Sequence, residues 1–171
     1  SDVYKRQTHD FLMIFTRAVK VYWIKVYQIQ PAGRTARGKP IVNLLRINKD
    51  EEIASIVRVR AFTDEESLIF ATQKGTVKKT SLAEYKNVRS NGINAINIRE
   101  DDQLIDVKLT DGTNDIMLAT RGGMSIRFNE DDTRKQGRAT QGVRGIRLKP
   151  NDEVIGMVVV RHAATLLTAS E

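Results

Sequence analysis

The chain has 171 residues, 40% of them hydrophobic and 29% charged, a globular composition that excludes a disordered chain. Twenty-eight Lys and Arg against 21 Asp and Glu leave a net charge of +7, which favours a polyanionic partner, nucleic acid before an anionic membrane. With no cysteine and only His9 and His162, disulfide scaffolds, zinc ribbons, iron–sulfur sites, thiol catalysis and three-histidine metal sites are excluded.

Residues 1–7 are polar and carry no apolar stretch of the kind a secretory signal needs. They fit no repeat, and a non-native or unstructured tail is expected there. No apolar run approaches the roughly 18 residues of a membrane helix. From residue 8 onward the chain repeats about every 50 residues. An apolar strand followed by a turn begins each unit: Met13-Ile14-Phe15-Thr16, Ile69-Phe70-Ala71-Thr72, Met117-Leu118-Ala119-Thr120 and Leu167-Thr168-Ala169-Ser170. A glycine box follows in phase. Gly38-Lys39-Pro40-Ile41-Val42-Asn43-Leu44 matches Gly92-Ile93-Asn94-Ala95-Ile96-Asn97-Ile98 and Gly142-Val143-Arg144-Gly145-Ile146-Arg147-Leu148. An acidic turn and a further apolar strand close each unit, at Asp50-Glu51-Glu52, Asp101-Asp102 and Asp152-Glu153. The order predicts a first repeat over 8–60, a second over 61–110, a third over 111–160, and the first strand of a truncated fourth over 161–171.

Within a repeat the runs of Val, Ile, Thr and Phe are punctuated by Gly, Asp and Asn, which reads as strands. Gly75 and Gly122-Gly123 stand where a hairpin needs positive φ. The first repeat has Ala18-Val19 at that turn, so a looser or differently built hairpin is expected. Ile96 and Ile98 flank Asn97, and Ile146 and Leu148 flank Arg147, giving one buried and one wet face. Only residues 81–86 and 129–133 read as short helical or turn segments. The fold class is all-β, with propeller-like blades of about four strands.

Charge follows the same phase. Residues 11–49 hold eight basic residues and no acidic one, and residues 121–149 hold eight more basic residues. The acids gather mostly in the turns. Blades set around a ring would then sum their basic halves into one continuous positive stripe on one rim. Such a stripe displaces counterions from duplex DNA, with phosphates contacted irrespective of sequence. No recognition helix and no aromatic platform is visible. The expected phosphate contacts are Arg34, Arg37, Lys39, Lys78, Lys79, Arg89, Arg134, Lys135, Arg138 and Arg144. A propeller binding an acidic protein partner through the same stripe is the alternative.

Other signals carry less. Gly33-Arg34-Thr35-Ala36-Arg37-Gly38-Lys39 has P-loop spacing, but Pro40 stands where Ser or Thr must hold Mg²⁺. Glu130-Asp131-Asp132 reads as a solvated turn, and Trp23 as packing. Ser81, Ser90 and Ser125 have no nearby histidine that would complete a triad.

The stretches Thr8-His9-Asp10-Phe11, Val21-Tyr22-Trp23-Ile24-Lys25-Val26-Tyr27, Arg37-Gly38-Lys39-Pro40-Ile41-Val42-Asn43-Leu44-Leu45, Gly75-Thr76-Val77-Lys78-Lys79-Thr80 and Thr140-Gln141-Gly142-Val143-Arg144-Gly145-Ile146-Arg147-Leu148 resemble the DNA gyrase A C-terminal domain family. The likeness runs from about Thr8 to Glu171. Residues 25–45 favour gyrase A over its paralogue in topoisomerase IV, which is the alternative. The resemblance implies a six-bladed β-pinwheel with strands exchanged between blades, about three of which are present. It implies duplex DNA wrapped on a basic rim so that the parent type II topoisomerase introduces negative supercoils. The implied partners are double-stranded DNA, gyrase B and the rest of gyrase A, with no membrane, in the bacterial cytoplasm at the chromosome. Mg²⁺ and ATP act elsewhere in that complex, and no cofactor or metal is expected on this chain. The family's gyrase-A box is expected upstream of Thr8. The DNA-cleaving tyrosine is expected in the N-terminal part of the parent, so Tyr4, Tyr22, Tyr27 and Tyr85 do not inherit it, and no residue here is expected to be catalytic.

Overall fold

The computed structural model describes residues 11–25, 51–86, 93–137 and 142–161. The strands are β1 (Phe11–Thr16), β2 (Lys20–Lys25), β3 (Ile53–Val59), β4 (Ser67–Thr72), β5 (Thr76–Ser81), β6 (Ile93–Asn94), β7 (Leu104–Thr110), β8 (Asp115–Thr120), β9 (Ser125–Asn129), β10 (Val143–Arg144) and β11 (Val154–Val160). Helix among these residues is confined to short 3₁₀ turns at Leu82–Tyr85 and Glu130–Asp132. The all-β, blade-like expectation therefore holds. The described residues form three antiparallel sheets, in the orders β3-β1-β2-β6, β7-β4-β5-β10 and β11-β8-β9.

Those orders contain an exchange. β6 follows β5 in sequence, yet it pairs with β2 of the preceding sheet, Lys20 opposite Asn94 and Val21 opposite Ile93. β10 follows β9 and pairs with β5, Val143 opposite Val77 and Arg144 opposite Thr76. The glycine boxes at 92–98 and 142–148 thus leave their own repeats to become the outer strands of the blades before them. β3, β7 and β11 form the opposite, inner edge, where β7 lies between the other two.

Each of the three described blades opens with the same hairpin. The Val19, Gly75 and Gly123 amides donate to the carbonyls of Thr16, Thr72 and Thr120, at 3.0, 3.0 and 3.2 Å. The buried hydroxyls of those threonines accept from the Lys20, Thr76 and Met124 amides, at 3.2, 3.0 and 3.0 Å. These are three-residue loops closed by a residue in the left-handed region. Gly75 and Gly123 take φ of 93° and 88°, as their identity foretells. The first hairpin corrects the expectation of a different build: Val19 adopts φ 63° and closes the same loop. A β-branched residue there carries strain of about 1–2 kcal/mol. Val19 also packs against the core beneath, which offsets that cost. The pairing register slips at the same place in each blade, beside the hairpin, between Phe15 and Thr16, Ala71 and Thr72, and Val154 and Gly156.

Two cores lie between consecutive sheets. Met13, Phe15, Trp23 and Val57 meet Leu68, Phe70, Tyr85 and Leu104 in the first. Ile69, Ala71 and Val77 meet Ile116, Leu118, Ile146 and Met157 in the second. β4 faces both, so its alternating residues divide between the cores and the whole strand is buried. Phe15 and Phe70 pack edge to face across the first, with centroids 5.5 Å apart. β8, with a neighbouring blade on one face only among the described residues, shows plain alternation of burial.

Gly75 and Gly123 share a conformation but not a neighbourhood. A Cβ on Gly123 meets nothing within 4 Å, whereas one on Gly75 falls 2.9 Å from both the Cγ2 and the carbonyl oxygen of Ile146. Gly123→Ala should cost about 1–2 kcal/mol from the left-handed backbone alone. Gly75→Ala should cost about 2–5 kcal/mol, because it also displaces the exchanged strand. Urea unfolding of the two variants checks this, and equal losses contradict it.

Candidate nucleic-acid interface

The hairpin tips and the acidic turns lie together. The Leu104 amide of the second blade donates to the Arg17 carbonyl of the first, and the Val154 amide of the third donates to the Gln73 carbonyl of the second, at 3.2 and 2.8 Å. Within each of the second and third blades the acidic turn also holds its own tip. Asp102 Oδ1 accepts from the Lys74 amide at 3.0 Å, and Asp152 Oδ1 accepts from the Gly122 amide at 2.8 Å. Desolvation is the largest single effect on Asp152 and acts upward. The bonds from the Gly122 amide, the Thr120 hydroxyl and the Glu153 amide, with the Lys149 charge, outweigh it and hold the carboxyl below its ordinary 3.8.

Ion pairs repeat at the same tips: Arg17 with Glu52 at 3.3 Å, Lys74 with Asp101, and Arg121 with Glu153 at 3.3 Å. This corrects the expectation of one uninterrupted basic half per repeat. The tip cations are neutralised by the acidic turns beside them. The acidic turns are therefore structural brackets, a role the sequence alone did not reveal.

The ten expected phosphate contacts separate into three groups. Arg34, Arg37, Lys39, Arg89 and Arg138 lie outside the described residues, as do the P-loop-like segment, His9 and His162. Lys78 and Lys79 are placed inside the protein, 0% and 3% exposed. That placement corrects the reading of both as solvent-facing. The register gives the reason. Lys78 and Lys79 occupy on β5 the positions that Tyr22 and Trp23 occupy on β2, and both faces of the middle sheet are covered. The Lys79 ammonium sits 2.8 Å from Glu130 Oε1, and Glu130 is itself fully buried. Glu130 Oε2 accepts from the Asn114 amide at 2.9 Å. Glu130 is thus a buried partner rather than part of a solvated turn. Removing one member would strand a buried charge, a cost of about 3–5 kcal/mol.

Arg134, Lys135 and Arg144 are exposed, and the structure brings them to one edge. Arg144 lies beside Thr76 on the outer side of β5, and Lys135 forms a bridge beside Lys79. The two sites are roughly 10 Å apart along the strand, at ~3.3 Å per residue. Lys135 Nζ donates to the Asp64 carbonyl at 3.3 Å. Arg147 and Lys149 continue the exposed cations along the glycine-box segment. Among the described residues Arg134, Arg144 and Arg147 have no carboxylate partner.

Trp23 packs in the first core, as expected. The Tyr85 hydroxyl is buried and donates to the Ala95 carbonyl at 2.9 Å, while the Tyr22 hydroxyl donates to Glu51 Oε2 at 3.1 Å. Burial, and then the neighbouring Glu51 carboxylate, push the Tyr22 hydroxyl above its ordinary value.

The acid bracket at Asp152 has a pH signature. Its carboxyl titrates lower in the folded chain than in the unfolded one, so its contribution is complete above the ordinary value of 3.8 and fades as pH falls through the folded value. Asp152→Asn keeps the Oδ1 acceptor and removes the charge. Urea midpoints measured against pH should then decline less steeply below about pH 4 than in the unsubstituted chain. Superimposable acid limbs contradict this.

The family model described as the DNA gyrase C-terminal domain, beta-propeller, matches residues 10–60, 66–111 and 114–161. The DNA gyrase A protein of Buchnera aphidicola subsp. Baizongia pistaciae is 45% identical over 164 residues, covering 96% of this chain and 19% of that protein. That of Haloquadratum walsbyi is 47% identical, covering 94% of this chain and 19% of that protein. Among solved structures, the C-terminal domain of DNA topoisomerase IV superposes with a TM-score of 0.81 at 33% identity, over 90% of this chain and 48% of that one. A DNA gyrase A C-terminal domain superposes with a TM-score of 0.74 at 25% identity, over 90% of this chain and 49% of that one. The chain spans about a fifth of the length of the curated relatives it matches. With three repeats matched in order and the glycine boxes exchanged between blades, the chain belongs to the DNA gyrase C-terminal domain family.

Proposed function

We propose that this chain is a duplex-DNA-binding and wrapping module of a gyrase A protein. The observation that carries the reading is the outer edge of the middle sheet, where exposed Arg134, Lys135 and Arg144 stand together and Arg147 follows. At the hairpin end of the same blades, by contrast, cations are paired with carboxylates of the acidic turns. Cations on an outer edge meet phosphates from the side, and cations repeated on successive blades would favour a bent duplex over a straight one. Contacts of this type fix position on the backbone and read no bases.

The mechanism is electrostatic. Counterions leave the duplex as arginine and lysine approach, and the entropy of their release drives binding. Bending costs elastic energy, which further contacts along successive blades offset. In the parent topoisomerase such a bend would present a second duplex segment for strand passage with a fixed sense, so that negative supercoils accumulate. ATP hydrolysis by gyrase B, Mg²⁺ and DNA cleavage would lie outside this chain, and the complex would work on the chromosome in the bacterial cytoplasm.

With about six to eight phosphates neutralised, log K against log salt should fall with a slope of about −5 to −7. Arg134→Ala, Lys135→Ala and Arg144→Ala combined should flatten that slope by about 2–3. Titrating a fluorescent duplex across salt concentrations checks both. A shallow slope in the unsubstituted chain, or retention of an acidic protein at high salt with no affinity for duplex, contradicts the reading.

A further inference from the structure

The middle blade carries a further feature. A cleft of about 450 Å³ opens where the β4–β5 hairpin, the turn before β7 and the exchanged strand β10 converge. Lys74, Arg99 and Arg144 bring three cations to it from three separate segments, and Thr76 and Asn97 add neutral polar groups. The register shows a different set of side chains at the described counterpart positions of the first blade, where Lys20 stands in the place of Thr76. Ala18 holds on the first hairpin the place of Lys74, and Asn94, opposite Lys20, holds the place of Arg144.

Asp102 lines the cleft and Asp101 stands beside it on Lys74, and the two carboxylates do different work. Asp102 is buried, and its Oδ1 accepts from the Lys74 and Gln103 amides at 3.0 and 2.8 Å, so it is spent on the backbone. Asp101 is exposed, and its carboxylate pairs with the Lys74 ammonium. The hydrogen bond from Lys74 lowers the Asp101 carboxyl below its ordinary value, and the Arg99 guanidinium adds to the same effect. Both side chains of the Lys74–Asp101 pair are about half or more open to water, at 49% and 66%. Such pairs are weak, and a phosphate can replace the carboxylate.

We propose that this cleft is a discrete seat for one backbone phosphate of duplex DNA, formed by Lys74, Arg99 and Arg144, and that Asp101 is its resident competitor. The proposal rests on the DNA-binding reading above and adds a site and its attenuation. Binding then exchanges a carboxylate for a phosphodiester on the Lys74 ammonium, while Arg99 and Arg144 approach the same anion from the other walls. No bond is made or broken. The carboxylate lowers the affinity of this one seat, so the middle blade holds DNA less tightly than its cation count permits.

The test uses the whole chain and a short blunt DNA duplex, with affinity followed by fluorescence anisotropy over a series of salt concentrations. Asp101→Asn should tighten binding about two- to fivefold, and the slope of log K against log salt should steepen by about 0.9. Lys74→Ala should weaken binding, and Asp101→Asn placed in the Lys74→Ala chain should give no gain, since the carboxylate acts through that ammonium. An unchanged affinity in Asp101→Asn overturns the proposal. So does an equal gain with and without Lys74, which would make the effect one of net charge. Thermal melts of each variant show whether the fold is kept, and Asp101 lies on the surface where a neutral isostere is tolerated. If Asp101→Asn is silent while Arg134→Ala with Lys135→Ala still weakens binding, the seat falls and the wider DNA-binding reading stands. A chain that binds no duplex in any form overturns both.

Discussion

The hydrogen bonds that tie each exchanged strand to the hairpin of the preceding blade are the constraint on which the rest depends. The Gly145 and Ile146 amides donate to the Gly75 carbonyl at 2.8 and 3.4 Å, and the Ala95 amide donates to the Val19 carbonyl at 2.7 Å. The accepting carbonyl belongs to the turn residue, which the three-residue loop holds in the left-handed region, freely at Gly75 and under strain at Val19. The docking strand must also come close. A Cβ on Gly145 would fall 2.5 Å from Val77 Cγ1, and one on Gly142 would fall 2.6 Å from the Val77 carbonyl. This contact therefore accounts for the small residues of the glycine box and the position of Arg144 on the outer edge.

The same contact explains how the cores form. A blade taken alone has two faces to cover, and exchange lays part of each repeat across its neighbour. Ile96 from the second repeat and Ile146 from the third are buried in this way, in the first and second cores respectively. Consecutive blades are then joined by hydrogen bonds at the tips and by apolar packing between sheets, and the middle blade loses both of its solvent faces.

The architecture was readable because it is repeated. Three recurrences of an apolar strand, a glycine box and an acidic turn fix the order of elements, and Gly75 and Gly123 announce their turns. Burial was harder to read. Lys78 and Lys79 look like surface cations, and only the hairpin register sets them beside Tyr22 and Trp23 in a covered sheet. That register could have been counted from the turns; a run of two lysines hid it. Glu130 was hidden in the same way, since its partner lies in another repeat. At Val19 local propensity argued for a different turn, and docking of the next strand overrode it. The acidic turns could not be read as brackets, because their partners are backbone amides brought close only by folding.

The charges are consequently sorted by place rather than by sequence segment. Carboxylates and cations alternate at the hairpin end, and the exposed arginines without carboxylate partners lie on the outer edge, Arg134 beside β5 and Arg144 and Arg147 along the glycine-box segment. The direct test of this sorting is hydrogen–deuterium exchange of the chain with and without duplex. Protection should concentrate in the segments carrying Arg134 to Gly137 and Gly142 to Lys149, with little change in β3 and β11 at the inner edge. Protection centred on those inner strands instead would contradict the account.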